Sequence, residues 1–375
     1  MKPIWLDVDP VRVESKGLED GHDDATALML ALNLPNIKLL GVSTTHGNAS
    51  SYYTALNAAR CLFAFGAKPG EIYVYPGADK PLILPAKHDP EIHGVDGLGG
   101  VEGLPALDDP RVLQFFKVDE DGKRVRALEA MSGIIRQTWN GGKGEKVTVV
   151  STGPMTNIAL FVSVYPDLLD AVEEFVFMGG AVGMGNRSAV AEYNIMCDPH
   201  AAQIVLDVPV KKTMVPINVT HTAIVTRDVH RRLLSPHTPA VSHSSSPDEP
   251  LPNPTTLNLR HTLSTLISFF AAAYKSTFGF DDGPPLHDAL TIAYISKPEL
   301  FKATRYRVDV ELTGTHSLGE TVVDIWRYKK CDESWGRTGR NCLVADFLNV
   351  PGFFNLLLEA VETCDKVSPL NKNSG

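Results

Sequence analysis

Five short runs rich in Val, Ile and Leu punctuate the first part of the chain: PIWLDVD, IKLLGVSTT, KVTVVSTG, AVEEFVFMGG and VKKTMVPINVT. Each ends in Asp, Thr, Gly or Asn, so each reads as a buried strand that runs into a loop. Between them, apolar residues recur at helical spacing and predict helices over 24–33, 51–66, 127–140, 157–169 and 198–207. This alternation predicts an α/β fold: an open, mostly parallel, Rossmann-like sheet with helices on both faces. In such sheets ligands bind outside the carboxyl ends of the strands, where the polar residues just noted fall.

Two regions break the pattern. Residues 80–126 are rich in Pro, Gly and acidic residues, and PHTPAVSHSSSPDEPLPNPTT (236–256) reads as a mobile surface loop. Beyond it, 259–278 has the apolar spacing of a long buried helix. GPPLHDALTIAYI reads as a loop entering a helix near His287. The tail carries β-like YRVDVEL and ETVVDIWRY and a closing helix around VPGFFNLLLEAVE. No internal repeat is visible, and 1–375 is expected to form a single domain.

Composition narrows the partner. The formal net charge is -9 and no Lys/Arg-rich run occurs, which argues against nucleic acid and for a small ligand. The five cysteines are scattered without a CxxC pair, as suits reduced thiols in a cytoplasmic protein, with Cys331 and Cys342 the one pair considered for a bridge. The first residues lack a basic region followed by an apolar run, so no export signal is expected, and no uninterrupted apolar stretch suggests a membrane span.

The candidate chemistry begins at the first strand. Asp7, Asp9, Asp23 and Asp24 flank a strand end and the following helix start, where they repel one another unless a cation neutralises them. Hard carboxylate oxygens favour Ca²⁺ or Mg²⁺ over zinc. The plainer alternative is that Asp23 caps the helix and the others are solvated. Further strand ends add Asn48 in STTHGNAS, Thr152 in VVSTGPMTNIAL, and Asn186, Glu192 and Asn194 in FMGGAVGMGNRSAVAEYNIMCDP. PPLHDAL adds His287 and Asp288. Asn, Glu and Asp side chains suit the hydroxyls of a sugar, and a carboxylate beside a divalent ion can hold a water for attack.

In these motifs, taken in order, the chain resembles the inosine-uridine preferring nucleoside hydrolases over nearly its whole length. The family pattern is DxDPG with a DD pair, then TTxxGN, TGPxTN, MGG with a downstream GNxxxxAExN, and HD. The resemblance implies the nucleoside hydrolase fold and cleavage of a ribonucleoside such as uridine or inosine to base and ribose. It makes Asp9 the general base and a member of the metal set. Ca²⁺ would be held by the Asp24 and Asp288 carboxylates and the Thr152 backbone carbonyl. It places Asp23, Asn48, Asn186, Glu192 and Asn194 on the ribose, with Met178 against the sugar. His287 would be the acid near the leaving base, and His93, in EIHGVDGLGG, would lie near the nucleobase. Asp7 reads as structural. Tyr274, Phe278 and Phe280 would stack on the base or pack in the core. Relatives of this kind imply a homodimer or homotetramer.

One departure stands out. The family runs DxDPGxDD, whereas here VRVESKGLED (11–20) separates Pro10 from GHDD. The insert is a surface loop that leaves the flanks together, a coding-region artefact, or an element that parts Asp9 from Asp24 and leaves an inactive nucleoside-binding relative. A DxD metal-dependent phosphatase is a further alternative, although Pro10 stands where that pattern asks for another residue. GGAVGMG has the wrong glycine order for a dinucleotide-binding loop.

Overall fold

All five apolar runs contribute strands to one sheet. The computed structural model describes residues 1–10, 22–47, 51–86, 102–235, 251 and 258–371. The insert at 11–20 and, apart from Leu251, the loop at 236–256 lie outside the described residues. The strands are β1 (Lys2–Val8), β2 (Ile37–Thr44), β3 (Val74–Pro76), β4 (Val147–Ser151), β5 (Val172–Met178), β6 (Lys212–Val215), β7 (Phe301–Tyr306), β8 (Val308–Val310), β9 (Thr321–Val323) and β10 (Cys342–Leu348). Eight form a sheet in the order β3-β2-β1-β4-β5-β6-β10-β7, and β8 and β9 pair separately as an antiparallel ribbon. β10 lies parallel to β6 and antiparallel to β7.

The alternation of side chains along each strand builds the layers. Ile4, Leu6 and Val8 of β1, Val150 of β4 and Val176 of β5 enter one core with the helices His22–Asn33, Ser51–Ala64, Asn258–Phe278, Ala289–Ser296 and Val350–Val367. Trp5, Val147, Val149, Phe175 and Phe177 point the other way, into a second core with Ala127–Trp139, Thr156–Val164 and Pro199–Asp207. Helices therefore cover both faces, as the strand-helix alternation predicts.

The structure corrects several readings. β3 and β10 were not anticipated as strands, and the stretch read as a helix over 157–169 stops at Val164, with a 3₁₀ turn from Pro166 to Ala171. Pro166 accounts for the break, since it has no N–H to continue the ladder. ETVVDIWRY supplies only the three residues of β9, and Ile325, Trp326, Arg327 and Tyr328 are exposed beyond it. Cys331 and Cys342 carry free thiols. No helix among the described residues is long and apolar enough to cross a membrane.

What matters for chemistry is where the strand order turns. From β1 the chain builds outward through β2 and β3, then returns to add β4, β5 and β6 on the other side. The neighbouring carboxyl ends of β1 and β4 thus form the crevice in which doubly wound sheets bind ligands.

Candidate active site

Asp9 follows β1 and Thr152 follows β4, so pairing of these strands brings residues far apart in sequence to one place. The Thr152 amide donates to the Asp7 carbonyl at 2.9 Å, continuing the ladder one step past β4. The Thr152 hydroxyl donates to Asp24 Oδ1 at 2.6 Å, and the Asp9 amide points at the same oxygen at 3.4 Å. Asp23 and Asp24 lie in the first turn of helix His22–Asn33, where the helix dipole favours negative charge. Asp23 Oδ1 in turn accepts the His287 amide at 3.1 Å, which ties this helix to the turn carrying His287 and Asp288.

The two halves of the interrupted motif therefore meet. The expectation that 11–20 could part Asp9 from Asp24 is not what the fold has: the Asp9 amide and the Asp24 carboxylate are in contact across the insert.

Charge is concentrated here with little water to screen it. Asp7, Asp9, Asp24 and Asp288 are all buried. Burial, and then the neighbouring carboxylates, push Asp288 well above the usual carboxylate range; those neighbours are Asp24, Asp23, Asp9 and Glu192. Burial raises Asp24 to about 7, against the hydrogen bonds from Thr152 and Asp9. It raises Asp7 to about 6, against those from Ser43 and Asn157. Asp23 is raised as well, chiefly by burial.

Such a set suits a divalent cation. Its donors are carboxylate oxygens and a backbone carbonyl, the hard ligands that Ca²⁺ prefers, and each carboxylate would regain its ordinary acidity beside a dication. Asp24, Asp288, Asp9 and the Thr152 carbonyl carry donors of this chemistry. Among the described residues no trio of acidic, imidazole or thiol side chains stands as a ready-made cage; Asp24 is held instead by Thr152 and Asp9.

Asn194 reaches the site from helix Tyr193–Cys197. Its Nδ2 donates to the Thr152 carbonyl at 2.9 Å and to the Met178 carbonyl at 3.2 Å, joining the ends of β4 and β5. Glu192 caps that helix: its carboxylate accepts the amides of Asn194 (2.9 Å), Gly180 (2.8 Å) and Ile195 (3.2 Å). Asn186 is half-buried, with Oδ1 accepting the Tyr193 amide at 3.0 Å. Met178 is buried beside Ala181 and Ile217. Asn48 and His93 lie outside the described residues.

His287 is buried, and its ring is bonded at both nitrogens, Nδ1 to the Thr220 hydroxyl at 2.6 Å and Nε2 to the Tyr274 hydroxyl at 2.7 Å. Burial, with positive charge at His221 and Arg187, holds its pKa well below the usual histidine value. Tyr274 stacks on Phe270 and meets Phe280 edge-on.

Two supporting residues escaped the sequence reading. Ser43 Oγ and Asn157 Nδ2 donate to Asp7 Oδ1 at 2.5 and 2.7 Å. Asn157 stands inside TGPMTN, so its motif was noted although its role was not. It also donates to the Thr44 carbonyl at 3.1 Å and accepts the Ala78 amide at 2.8 Å, linking the carboxyl ends of β1, β2 and β3.

A parallel doubly wound sheet with carboxylates gathered at its switch point defines an α/β protein with a ligand site at the carboxyl end of β1. Residues 4–355 match the inosine-uridine preferring nucleoside hydrolase family, and the chain belongs to it. It is an enzyme, a ribonucleoside hydrolase acting on the N-glycosidic bond. It is 34% identical over 363 residues to a probable ribonucleoside hydrolase of Dictyostelium discoideum, covering 96% of this chain and 95% of that one. It is 35% identical over 365 residues to the pyrimidine-specific ribonucleoside hydrolase RihA of Shewanella woodyi, covering 96% and 98%. Among solved structures, a purine-preferring ribonucleoside hydrolase from Gardnerella vaginalis superposes with a TM-score of 0.75 at 25% identity, over 98% of this chain and all of that one.

Proposed function

We propose that the chain hydrolyses ribonucleosides such as uridine or inosine to free base and ribose, with Ca²⁺ as cofactor and Asp9 as general base. The observation that carries this reading is the meeting of Asp9, Asp24 and Thr152 at the crevice between β1 and β4, electrostatically coupled to Asp288. When bound, Ca²⁺ would draw the ribose diol and a water molecule together and acidify that water.

Cleavage of the ribosidic bond passes through an oxocarbenium-like ribose, so groups that favour positive charge on the ring lower the barrier. Asp24, Asp288 and the Thr152 carbonyl would hold the cation. Asp9 takes the proton of the attacking water. Asp23, Asn186, Glu192 and Asn194 take up the ribose hydroxyls, and Met178 lies against the sugar; by their motifs alone, Asn48 is assigned to the ribose and His93 to the nucleobase. Glu192 already caps a helix, so it grips the sugar through the one lone pair left on Oε1 and stays fixed by three amides.

His287 serves the departing base. A neutral imidazole that donates its Nε2–H to the Tyr274 hydroxyl turns that phenol into a hydrogen-bond donor for a base that leaves with its charge partly developed, and full proton transfer to the base would draw on the imidazolium form. We assign the whole chain to one domain, acting as a homodimer or homotetramer.

The test is a reducing-sugar assay on uridine, cytidine, inosine, adenosine and guanosine, with and without a chelator. Release should stop on chelation and return with Ca²⁺. Asp9→Ala should retain calcium binding by calorimetry, because Asp24, Asp288 and the Thr152 carbonyl remain to hold the ion, and lose turnover by at least about a hundredfold, as expected when a general base is removed. Asp288→Ala should lose both. Equal loss of metal in the two variants would overturn the assignment of Asp9.

A further inference from the structure

The turn Gly179–Val182 leaves β5 directly after Met178 and leads to Asn186, Glu192 and Asn194. Gly180 adopts φ +74, a conformation open to glycine. Part of this turn is held by ordinary contacts. The Gly180 amide donates to Glu192 Oε2 at 2.8 Å, and the Gly180 carbonyl accepts the Ile217 amide at 3.1 Å.

The next two residues are held by side chains that imitate a neighbouring strand. Thr321 Oγ1 accepts the Ala181 amide at 2.8 Å and donates to the Ala181 carbonyl at 2.6 Å. Asn218 does the same for Val182, accepting its amide at 2.8 Å and donating to its carbonyl at 3.1 Å. Thr321 opens β9, outside the main sheet, and it is buried. Its neighbours grip the far end of the same loop. Glu320 forms an antiparallel bridge with Ala191, and a Cβ on Gly319 would stand 2.8 Å from Met196 Cα.

We propose that Thr321 is a positioning residue for substrate binding, with Asn218 as a second clamp. The ribbon of β8 and β9 thereby fixes the loop that presents the sugar-binding side chains. This rests on the reading that Met178, Asn186, Glu192 and Asn194 hold the ribose. The link is short: the Ala181 amide shares its peptide plane with the Gly180 carbonyl that accepts the Ile217 amide, and Gly180 in turn donates its own amide to the Glu192 carboxylate that caps the helix of Asn194. A hydroxyl can satisfy donor and acceptor of one residue at once, whereas the isosteric valine satisfies neither and leaves two backbone groups unmatched.

The experiment compares Thr321→Val, Thr321→Ser and Asn218→Ala by steady-state kinetics on uridine and inosine, with calcium affinity by calorimetry. Thr321→Val should raise KM about tenfold or more, the effect of losing hydrogen bonds that hold a binding loop, and should leave kcat within about threefold. Calcium affinity should be unchanged, because neither clamp touches Asp24, Asp288 or Thr152. Thr321→Ser should restore KM. Asn218→Ala should shift KM the same way by about threefold, since water can take the place of an exposed amide. An unchanged KM in Thr321→Val, a loss confined to kcat, or a parallel fall in calcium affinity would overturn the proposal. Should Thr321→Val fail to fold, the exposed Asn218 decides it. Asn186→Ala and Glu192→Gln serve as controls. If they leave KM unchanged the sugar-binding reading fails, and if they raise it while Thr321→Val does not, the clamp alone fails.

Discussion

Asp9 has room for its carboxylate because residues 47 and 153 are glycines. A Cβ on Gly153 would stand 2.5 Å from Asp9 Oδ1, and one on Gly47 would collide with Oδ2. Gly153→Ala is therefore expected to push the carboxylate off its position and lower kcat by about a hundredfold, the cost of a misplacement near 1 Å. The far-UV circular dichroism should stay that of the parent, because the change lies in a turn; a kcat within a few-fold of the parent would show that Asp9 tolerates displacement. Asp9 and Asp24 were legible in the sequence because acids gathered at a strand end and helix start repel without a partner, and Asp288 was legible only through the HD motif of the resemblance. Ser43, Asn157 and Thr321 were not. Hydroxyl and amide residues are common, and only the fold brings Asn157 to Asp7 across 150 residues, or Thr321 to Ala181 across 140.

At the scale of elements, helix Arg227–Leu234 packs on Asn258–Phe278 through a histidine. His230 is buried and its Nε2 meets the Ser264 hydroxyl at 2.7 Å. Burial, then the Arg227 charge, lowers its pKa from 6.5 to about 4. Between those values the unfolded chain binds a proton that the folded chain refuses, so stability rises with pH across the window and is lost as pH falls. The difference corresponds to roughly 3 kcal/mol at most. His230→Gln should remove that dependence, and urea unfolding at pH 6.5 and at pH 4 should show the parent losing more stability than the variant. Parallel losses would mean that the imidazole accepts its proton in place. This helix was invisible to apolar periodicity because RDVHRRLL carries mostly charged and polar residues. β10 was missed for a different reason: CLVADFL alternates poorly and reveals itself only by pairing between β6 and β7.

For the molecule as a whole, calcium would join parts of the chain that otherwise meet through packing and single hydrogen bonds: the end of β1, the start of helix His22–Asn33, the end of β4 and the turn before Ala289–Ser296. A ligand that binds only the folded state stabilises it by about 2.7 kcal/mol at a hundredfold excess over Kd. For a chain of this length that corresponds to an increase in Tm of about 3 °C. Calorimetric scans with Ca²⁺ and with chelator should differ by that amount, and the difference should vanish in Asp288→Ala. A parent that melts identically in both would remove the metal from the proposed chemistry.

The order of strand-like and helix-like segments was enough to determine an α/β sheet and its ligand-binding edge, and the short motifs shared with the nucleoside hydrolases supplied the candidate site. These are local properties: periodicity, turn chemistry and short motifs are written in neighbouring residues. Tertiary structure alone decided that Asp9 and Asp24 meet in spite of the residues between them, that His287 is buried with both nitrogens bonded, and that a separate ribbon clasps the loop after β5. Those facts depend on which surfaces pack together and which polar atoms then need partners, and a burial or a hydrogen bond between distant segments leaves no mark in either segment by itself.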